Sequence, residues 1–216
     1  MILTNEKIIL DELVARYPVI SSIKNEIYQA YLLLKDCYEN HHKLLIAGNG
    51  GSAADADHIV GELMKGFKKE RIIPSKFAEN LKALDYERGG YLTRKIQGAL
   101  PAIALNNHSA LNTAYLNDVD GVLCYAQQVY GYGNTGDVFL GITTSGNSEN
   151  IIYSALVAKA KGMKVIGLIG KNGGKLKGIS DVSIIVPEEE TYKIQELHLP
   201  IYHTLCLMLE EYFYKD

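Results

Sequence analysis

Residues 43–52 read KLLIAGNGGS, an apolar strand that runs directly into a loop of glycines closed by a serine. Residues 138–148 repeat this design as VFLGITTSGNS. A helical pattern follows each loop, and the backbone N–H groups at such a helix start point together beside the positive end of the helix dipole. This arrangement can hold a phosphate without an arginine. Two such loops in one small protein therefore predict a phosphorylated ligand.

The rest of the chain alternates short apolar strands with helical patterns. Strands are predicted at 43–47, 100–105, 138–142, 164–170 and 181–187, and helices at 20–38, 52–67, 109–130, 148–161 and 193–214. The alternation predicts an α/β fold: a single domain with a doubly wound, mostly parallel five-stranded sheet flanked by helices. Ligands of such sheets bind beyond the carboxyl ends of the strands, where both glycine loops are expected.

Two segments lie outside this alternation. Residues 1–40 form an N-terminal helical segment, in which a shorter helix precedes the one predicted above. Residues 68–98 are charged and hold one short helical pattern, at Phe77, Leu81 and Leu84. We interpret 68–98 as an insertion or a mobile flap outside the core.

The composition excludes several classes of protein. A net charge of −3 over 216 residues gives no basic surface for nucleic acid. No apolar run approaches the roughly 20 residues that cross a membrane, and acidic residues within the N-terminal apolar pattern argue against a signal peptide. Three dispersed cysteines, Cys37, Cys124 and Cys206, indicate reduced thiols in the core of a cytoplasmic protein.

Each glycine loop also has a simpler explanation, because tight turns between strands and helices often use glycine. For 48–52 both explanations remain open. The second loop is more informative, since it supplies four hydroxyls in six residues, at Thr143, Thr144, Ser145 and Ser148. Only Ser148 has an ordinary role, as the N-cap of its helix. The first loop has neither a Walker lysine nor G-x-G-x-x-G spacing, so we expect a small phosphorylated metabolite and no nucleotide cofactor.

The helix after the first loop carries an ionisable pair. His58 and Glu62 are four residues apart and therefore share one helical face. Most pairs of this kind are solvated neighbours. The pair at 58 and 62 begins less than two turns beyond the first loop, which favours a catalytic role for it. The terminal helix adds further donors that suit a divalent ion such as zinc: Gln195, Glu196, His198 and His203.

The spacing of those donors limits a metal site. Gln195 and His203 are eight residues apart, which separates them by about 12 Å of rise along a straight helix. A single ion reaches both only if their side chains converge, or if Pro200 kinks the helix. The alternative is that the two side chains serve sites from different subunits. We favour a site at a subunit interface.

The four motifs AGNGGSAADADH, GITTSGNSENII, KVIGLIGKNGGK and YKIQELHLPIYH, in this order, resemble the sugar isomerase (SIS) fold. Within that fold the chain is similar to the phosphoheptose isomerase group, over about residues 20–70 and 100–214. The resemblance implies a single SIS domain with aldose–ketose isomerase activity, most of all on sedoheptulose 7-phosphate. It also implies a homotetramer with sites between subunits, and a zinc ion in some members.

By position, the resemblance implies these substrate-binding residues: Asn49, Gly50, Gly51, Ser52, Asp118, Thr143, Thr144, Ser145, Ser148 and Gln195. It implies Glu62 and His203 as the acid/base pair. The metal ligands of some members match His58, Glu62, Gln195 and His203. The reaction suits such residues, because a carboxylate over two neighbouring carbons can carry a proton between them through an enediol while a histidine serves the oxygens. A metal would make Glu62 less basic, so whether it is both base and ligand is open.

Other functions remain possible on the same fold. A non-catalytic branch binds a replication initiator, but it lacks the Glu and His found here at 62 and 203. Sugar-phosphate sensors are usually fused to a DNA-binding domain, for which residues 1–40 are too few and too acidic. A third alternative is an isomerase of another sugar phosphate. The chain also departs from some members, which carry an aspartate where this sequence has Thr191, Tyr192 and Lys193.

Overall fold

A single sheet of five parallel strands organises the protein in the computed structural model, which describes residues 4–214. The strands are β1 Leu44–Gly48, β2 Ala102–Ala104, β3 Val138–Thr143, β4 Lys164–Ile169 and β5 Val182–Ile185. Their order across the sheet is β2-β1-β3-β4-β5, and each pairing is parallel. The predicted doubly wound sheet is confirmed, and all five strands lie within the predicted ranges to within one residue.

Helices connect the strands. They are α1 Asn5–Arg16, α2 Lys24–Glu39, α3 Gly51–Met64, α4 Ser75–Leu84, α5 Tyr86–Thr93, α6 Ser109–Asp118, α7 Cys124–Tyr132, α8 Glu149–Ala160 and α9 Thr191–Phe213. The helix predicted at 109–130 is in fact two helices. Asp120 interrupts it, because its carboxylate accepts a hydrogen bond from the backbone of Val122 and starts a short 3₁₀ turn.

Both faces of the sheet are covered, and the side chains of β1 show why. Leu44 and Ile46 point to one face, where they pack with α1, α2, α3 and α9. Leu45 and Ala47 point to the other face, where they pack with α7 and α8. A strand buried on both faces needs apolar residues at every position, which is why β1 reads as a continuous apolar run.

The segment 68–98 contains two short helices, α4 and α5, packed against each other. The predicted pattern at Phe77, Leu81 and Leu84 corresponds to α4, whereas α5 was not predicted. No residue of α4 is buried, which agrees with the expectation that it lies outside the core. The beginning of the segment does not agree, because Arg71 and Ile73 are buried.

Two further expectations concern the whole chain. No helix among residues 4–214 is long and apolar enough to span a membrane. The cysteines Cys37, Cys124 and Cys206 are free and buried, as expected. Burial raises the pKa of the Cys37 and Cys206 thiols to about 12.

Candidate active site

The two glycine loops lie side by side at the carboxyl edge of the sheet. They follow β1 and β3, which are neighbouring parallel strands with Gly48 beside Ile142. In the strand order observed here the chain reverses direction across the sheet between β1 and β3, and this is the ligand crevice of doubly wound folds. The amide side chains of Asn49 and Asn150 join the first loop to the start of α8 through two hydrogen bonds of 2.9 and 2.8 Å.

A cavity of about 230 Å³ opens between the loops. It is lined by Asn49, Gly50, Gly51, Ser52, Ile142, Thr143, Thr144, Ser148, Thr191 and Gln195. The structure thus brings together eight of the ten residues predicted to bind substrate. Ser145 and Asp118 do not line the cavity; the Ser145 hydroxyl accepts from the backbone of Asn147, and Asp118 is exposed at the end of α6.

Three helices begin at this cavity. Gly50, Ser148 and Thr191 stand at the starts of α3, α8 and α9, and all three line it. The positive ends of three helix dipoles and their free N–H groups therefore face the same space, which suits an anion. Thr191 was not among the predicted residues. Its position after β5, at the same sheet edge, was the available signal.

The hydroxyls of the second loop are arranged differently from the expectation. Ser148 occupies the N-cap position of α8, but its side chain makes no capping hydrogen bond. Its Oγ instead lies 3.0 Å from Oγ1 of Thr143, which is buried. The helix start therefore keeps a free N–H donor, and the two hydroxyls remain beside the cavity.

The loop after β4 packs against the second glycine loop. Gly146 has φ +68°, and a Cβ there would lie 2.0 Å from the carbonyl oxygen of Gly173. The backbone N–H of Leu176 donates to the Gly146 oxygen at 3.0 Å, and that of Lys175 to Asn147 Oδ1 at 3.1 Å. The motif KNGGK thus fixes the shape of the second loop through glycines that allow close backbone contact.

The ionisable residues form a second group, farther along α3. His58 Nε2 lies 3.3 Å from Glu62 Oε1 and 3.3 Å from His203 Nε2. The Glu62 side chain is only 12% exposed and is also 3.2 Å from Lys65 Nζ. The predicted pair at 58 and 62 is therefore a real contact, and the fold adds His203 to it.

Tyr202 contacts His58 and connects it to Asp55, and the sequence did not indicate either residue. The Tyr202 hydroxyl lies 3.0 Å from His58 Nδ1 and donates to Asp55 Oδ1 at 3.2 Å. Burial raises the pKa of Tyr202, and the nearby Asp55 carboxylate raises it further, so the hydroxyl keeps its proton. Both ring nitrogens of His58 therefore have polar partners.

The electrostatic surroundings favour a neutral His203. Burial lowers the pKa of His203, and the neighbouring His58 lowers it further, while Glu62 acts in the opposite direction. A neutral imidazole can accept a proton at one nitrogen and donate from the other. The cluster thus combines a carboxylate and a neutral histidine, the groups needed for general acid–base chemistry.

Helices α3 and α9 run side by side in the same direction and connect the two groups. At their starts, a Cβ on Gly51 would lie 2.7 Å from Gln195 Nε2. Farther along the two helices, the rings of His58 and His203 are in contact. Ser52 and Glu62 are separated by about 15 Å of helical rise. The arrangement suits an elongated ligand with a phosphate at one end and a reactive group at the other.

Of the ionisable group, His203 lines a cavity different from the loop cavity, whereas Glu62 and His58 line neither of these two cavities. His203 lines a cavity of about 430 Å³ between α1 and α9, together with Arg16, Phe67 and Lys68. This larger cavity shares no lining residue with the loop cavity.

The predicted zinc ligands do not form a metal centre within one chain. Among residues 4–214, no group of three or more His, Cys, Asp or Glu side chains is placed to hold a metal ion. Gln195, the fourth predicted ligand, lies against Gly51 at the start of α9, more than two turns before His203. Zinc binding by these residues, within one chain or across subunits, stays a prediction.

Comparison with known proteins gives consistent matches. A family profile described as the SIS domain matches residues 12–99 and 80–170. A phosphoheptose isomerase of Nitratiruptor is 38% identical, over 96% of this chain and 97% of that protein. One from Leptospira biflexa is 39% identical, over 93% and 91%. Among solved structures, a phosphoheptose isomerase from Francisella tularensis has a TM-score of 0.75 at 32% identity, covering 91% of each chain. The one from Neisseria gonorrhoeae has a TM-score of 0.69 at 30% identity, over 93% of this chain and 98% of that one.

Proposed function

The chain belongs to the SIS domain family and, within it, to the phosphoheptose isomerases, and from this premise we propose that it interconverts sedoheptulose 7-phosphate and an aldose heptose 7-phosphate. One observation carries the proposal. Helix α3 begins at a cavity suited to a phosphate and, about three turns later, bears a carboxylate beside two histidines. The substrate has the same two parts, a phosphate at one end and a carbonyl near the other.

In this proposal the phosphate of the substrate binds in the loop cavity. The backbone N–H groups at the starts of α3, α8 and α9 and the hydroxyls of Ser52, Thr144 and Ser148 surround it. These donors complement a dianion without a cationic side chain. Asn49 and Gln195 line the same cavity, and in this proposal they contact the sugar hydroxyls.

Glu62 and His203 act on the carbonyl end of the sugar in this proposal. Glu62 removes a proton from C1 of the ketose, which gives an enediol, and returns it to C2. His203 accepts the proton of the C1 hydroxyl and supplies one to the C2 oxygen, so the carbonyl moves from C2 to C1 without net change in protons. His58 touches both groups and orients them.

We further propose that the active protein is a homotetramer with sites between subunits. Two observations support an interface. The two cavities share no lining residue within one chain, and the predicted ligands Gln195 and His203 lie more than two turns apart on α9. In an assembly, a second subunit can close the space between the phosphate cavity and the acid/base cluster of the first. The cytoplasm is the proposed location.

The direct test is turnover of a panel of ketose phosphates with five, six and seven carbons, followed by detection of the aldose product. We expect the seven-carbon substrate to be converted with the highest kcat/KM. Faster conversion of a shorter sugar would make the chain an isomerase of another sugar phosphate. Binding of these sugars without any turnover would favour the non-catalytic alternative.

A further inference from the structure

A buried ion pair links the ends of α3 and α9. Arg71 and Glu210 are each 1% exposed, and Arg71 Nε donates to Glu210 Oε1 at 2.9 Å. Removing two charges from water costs free energy that their attraction often does not recover.

Arg71 closes the end of α3. Its Nη1 donates to the carbonyl of Leu63 at 2.6 Å, and its Nη2 to the carbonyl of Glu62 at 2.9 Å. The last carbonyls of a helix have no partner within it, and a cation at that end complements the dipole. The guanidinium thus fixes the backbone of Glu62 itself, the residue proposed as the base.

Glu210 holds the segment that follows α3. Its carboxylate accepts from the backbone N–H groups of Phe67 and Lys68 at 2.8 Å each, and of Lys69 at 3.1 Å. The ring of Phe67 packs on the ring of His203, with centroids 5.3 Å apart. His203 lies seven residues before Glu210 on α9, which places both on one helical face.

We propose that Arg71 and Glu210 are positioning residues of the isomerase, which set the distance between Glu62 and His203. The pair acts on Glu62 through its carbonyl and on His203 through Phe67. This inference rests on the proposed function, because it assigns the ion pair a part in that reaction. Neither residue lines the loop cavity, so the pair governs the chemical step and leaves phosphate binding intact.

The test compares two buried carboxylates with similar surroundings. Asp137 is also 1% exposed, lies 2.6 Å from Lys43 Nζ and accepts from the backbone N–H groups of Lys43 and Asn134. It precedes β3, at the sheet edge opposite the site. Glu210→Gln and Asp137→Asn therefore remove the same charge from similar places, and both are expected to lower Tm. Only Glu210→Gln is expected to lower kcat, by about 10–100-fold with KM within about twofold.

Arg71→Lys keeps the charge but cannot reach two carbonyls and a carboxylate together, so its kcat is expected between wild type and Glu210→Gln. Equal loss of kcat in Glu210→Gln and Asp137→Asn, or an unchanged kcat in Glu210→Gln, would overturn the proposal. If Glu210→Gln does not fold, Phe67→Leu leaves the ion pair in place and is expected to lower kcat by the same mechanism; wild-type kcat there would also overturn it.

A second readout does not depend on turnover. The NMR signal of the His203 ring is expected to shift in Glu210→Gln but not in Asp137→Asn. If the wild-type chain converts no sugar phosphate, the proposed function fails, and the ring signal still decides whether the pair positions His203. An unmoved signal in Glu210→Gln would contradict the positioning role.

Discussion

At the scale of single residues, Glu62 has the surroundings that a proton carrier needs. It is largely buried, it contacts His58, and its backbone is held by Arg71. Glu62→Gln keeps the shape and removes the basic oxygen, so we expect kcat to fall by about 10²–10⁴-fold while the affinity for the sugar phosphate is retained. Steady-state kinetics and calorimetric binding check this.

The matched control is Glu79→Gln. Glu79 also pairs with a lysine three residues away, but it lies on the exposed helix α4. Turnover near wild type in Glu62→Gln would rule out Glu62 as the base.

Thr144 and Ser145 are neighbours with different surroundings. Thr144 lines the loop cavity, whereas the Ser145 hydroxyl is used by the loop itself. Thr144→Val is expected to weaken binding of inorganic phosphate and of substrate by about 1–3 kcal/mol, because it deletes a donor to a charged group. Ser145→Ala is expected to change binding less. Calorimetric titration with phosphate measures both, and the reverse order of effects would contradict the assignment of the cavity.

His198 makes the stability of the protein depend on pH. It is fully buried, its Nδ1 has no hydrogen-bond partner, and burial lowers its pKa to about 4. Because the unfolded chain takes up a proton near pH 6.5 and the folded chain does not, stability is lost as the pH falls from about 6.5 towards 4. The expected loss from this group is about 2 kcal/mol between pH 7 and pH 5. Urea unfolding at both pH values measures it, and His198→Leu should reduce the pH dependence by that amount; an unchanged dependence would contradict this origin.

At the scale of elements, the strands and the first turns of the helices were predictable, because their signals are local. Apolar runs and glycine loops determine β1 and β3, and their parallel pairing follows from the alternation with helices. Asp55, Tyr202 and Arg71 were not predictable as partners of the site. Their roles depend on α3 lying beside α9, and no periodicity or spacing in one sequence reveals which helices become neighbours. Helix α5 was missed for a local reason, because Gly89 and Gly90 lower its helix propensity.

Those two glycines also give a prediction about the α4–α5 pair. A Cβ on Gly89 would lie 2.2 Å from the carbonyl oxygen of Leu81, whereas on Gly90 it would meet nothing closer than 3.8 Å. Gly89→Ala is therefore expected to separate the two helices and to speed proteolysis within 75–93. The global free energy of unfolding should change little, because no residue of α4 is buried. Gly90→Ala is the control and should resist proteolysis like wild type; equal cleavage of both variants would contradict the close packing.

At the scale of the whole molecule, the fold and the family could be inferred from four motifs, whereas the assembly could not be derived from one chain. We expect the protein to elute as a tetramer, with a light-scattering mass four times the 23.9 kDa of the chain. The number four is what the resemblance to the phosphoheptose isomerases implies, and the separation of the phosphate cavity from the cavity of His203 within one chain supports an interface. A fully active monomer would show that a single chain completes the site.

The common direction of α3 and α9 has one more consequence. Both helices turn their positive ends to the loop cavity, and α3 carries the Glu62 carboxylate about 15 Å farther along. In the proposed reaction, a sugar phosphate bound the wrong way round would bring its dianion against this carboxylate, whereas at the loop cavity the dianion meets free N–H groups. The difference in charge between the two ends of α3 therefore favours one orientation of the ligand before any hydroxyl is recognised.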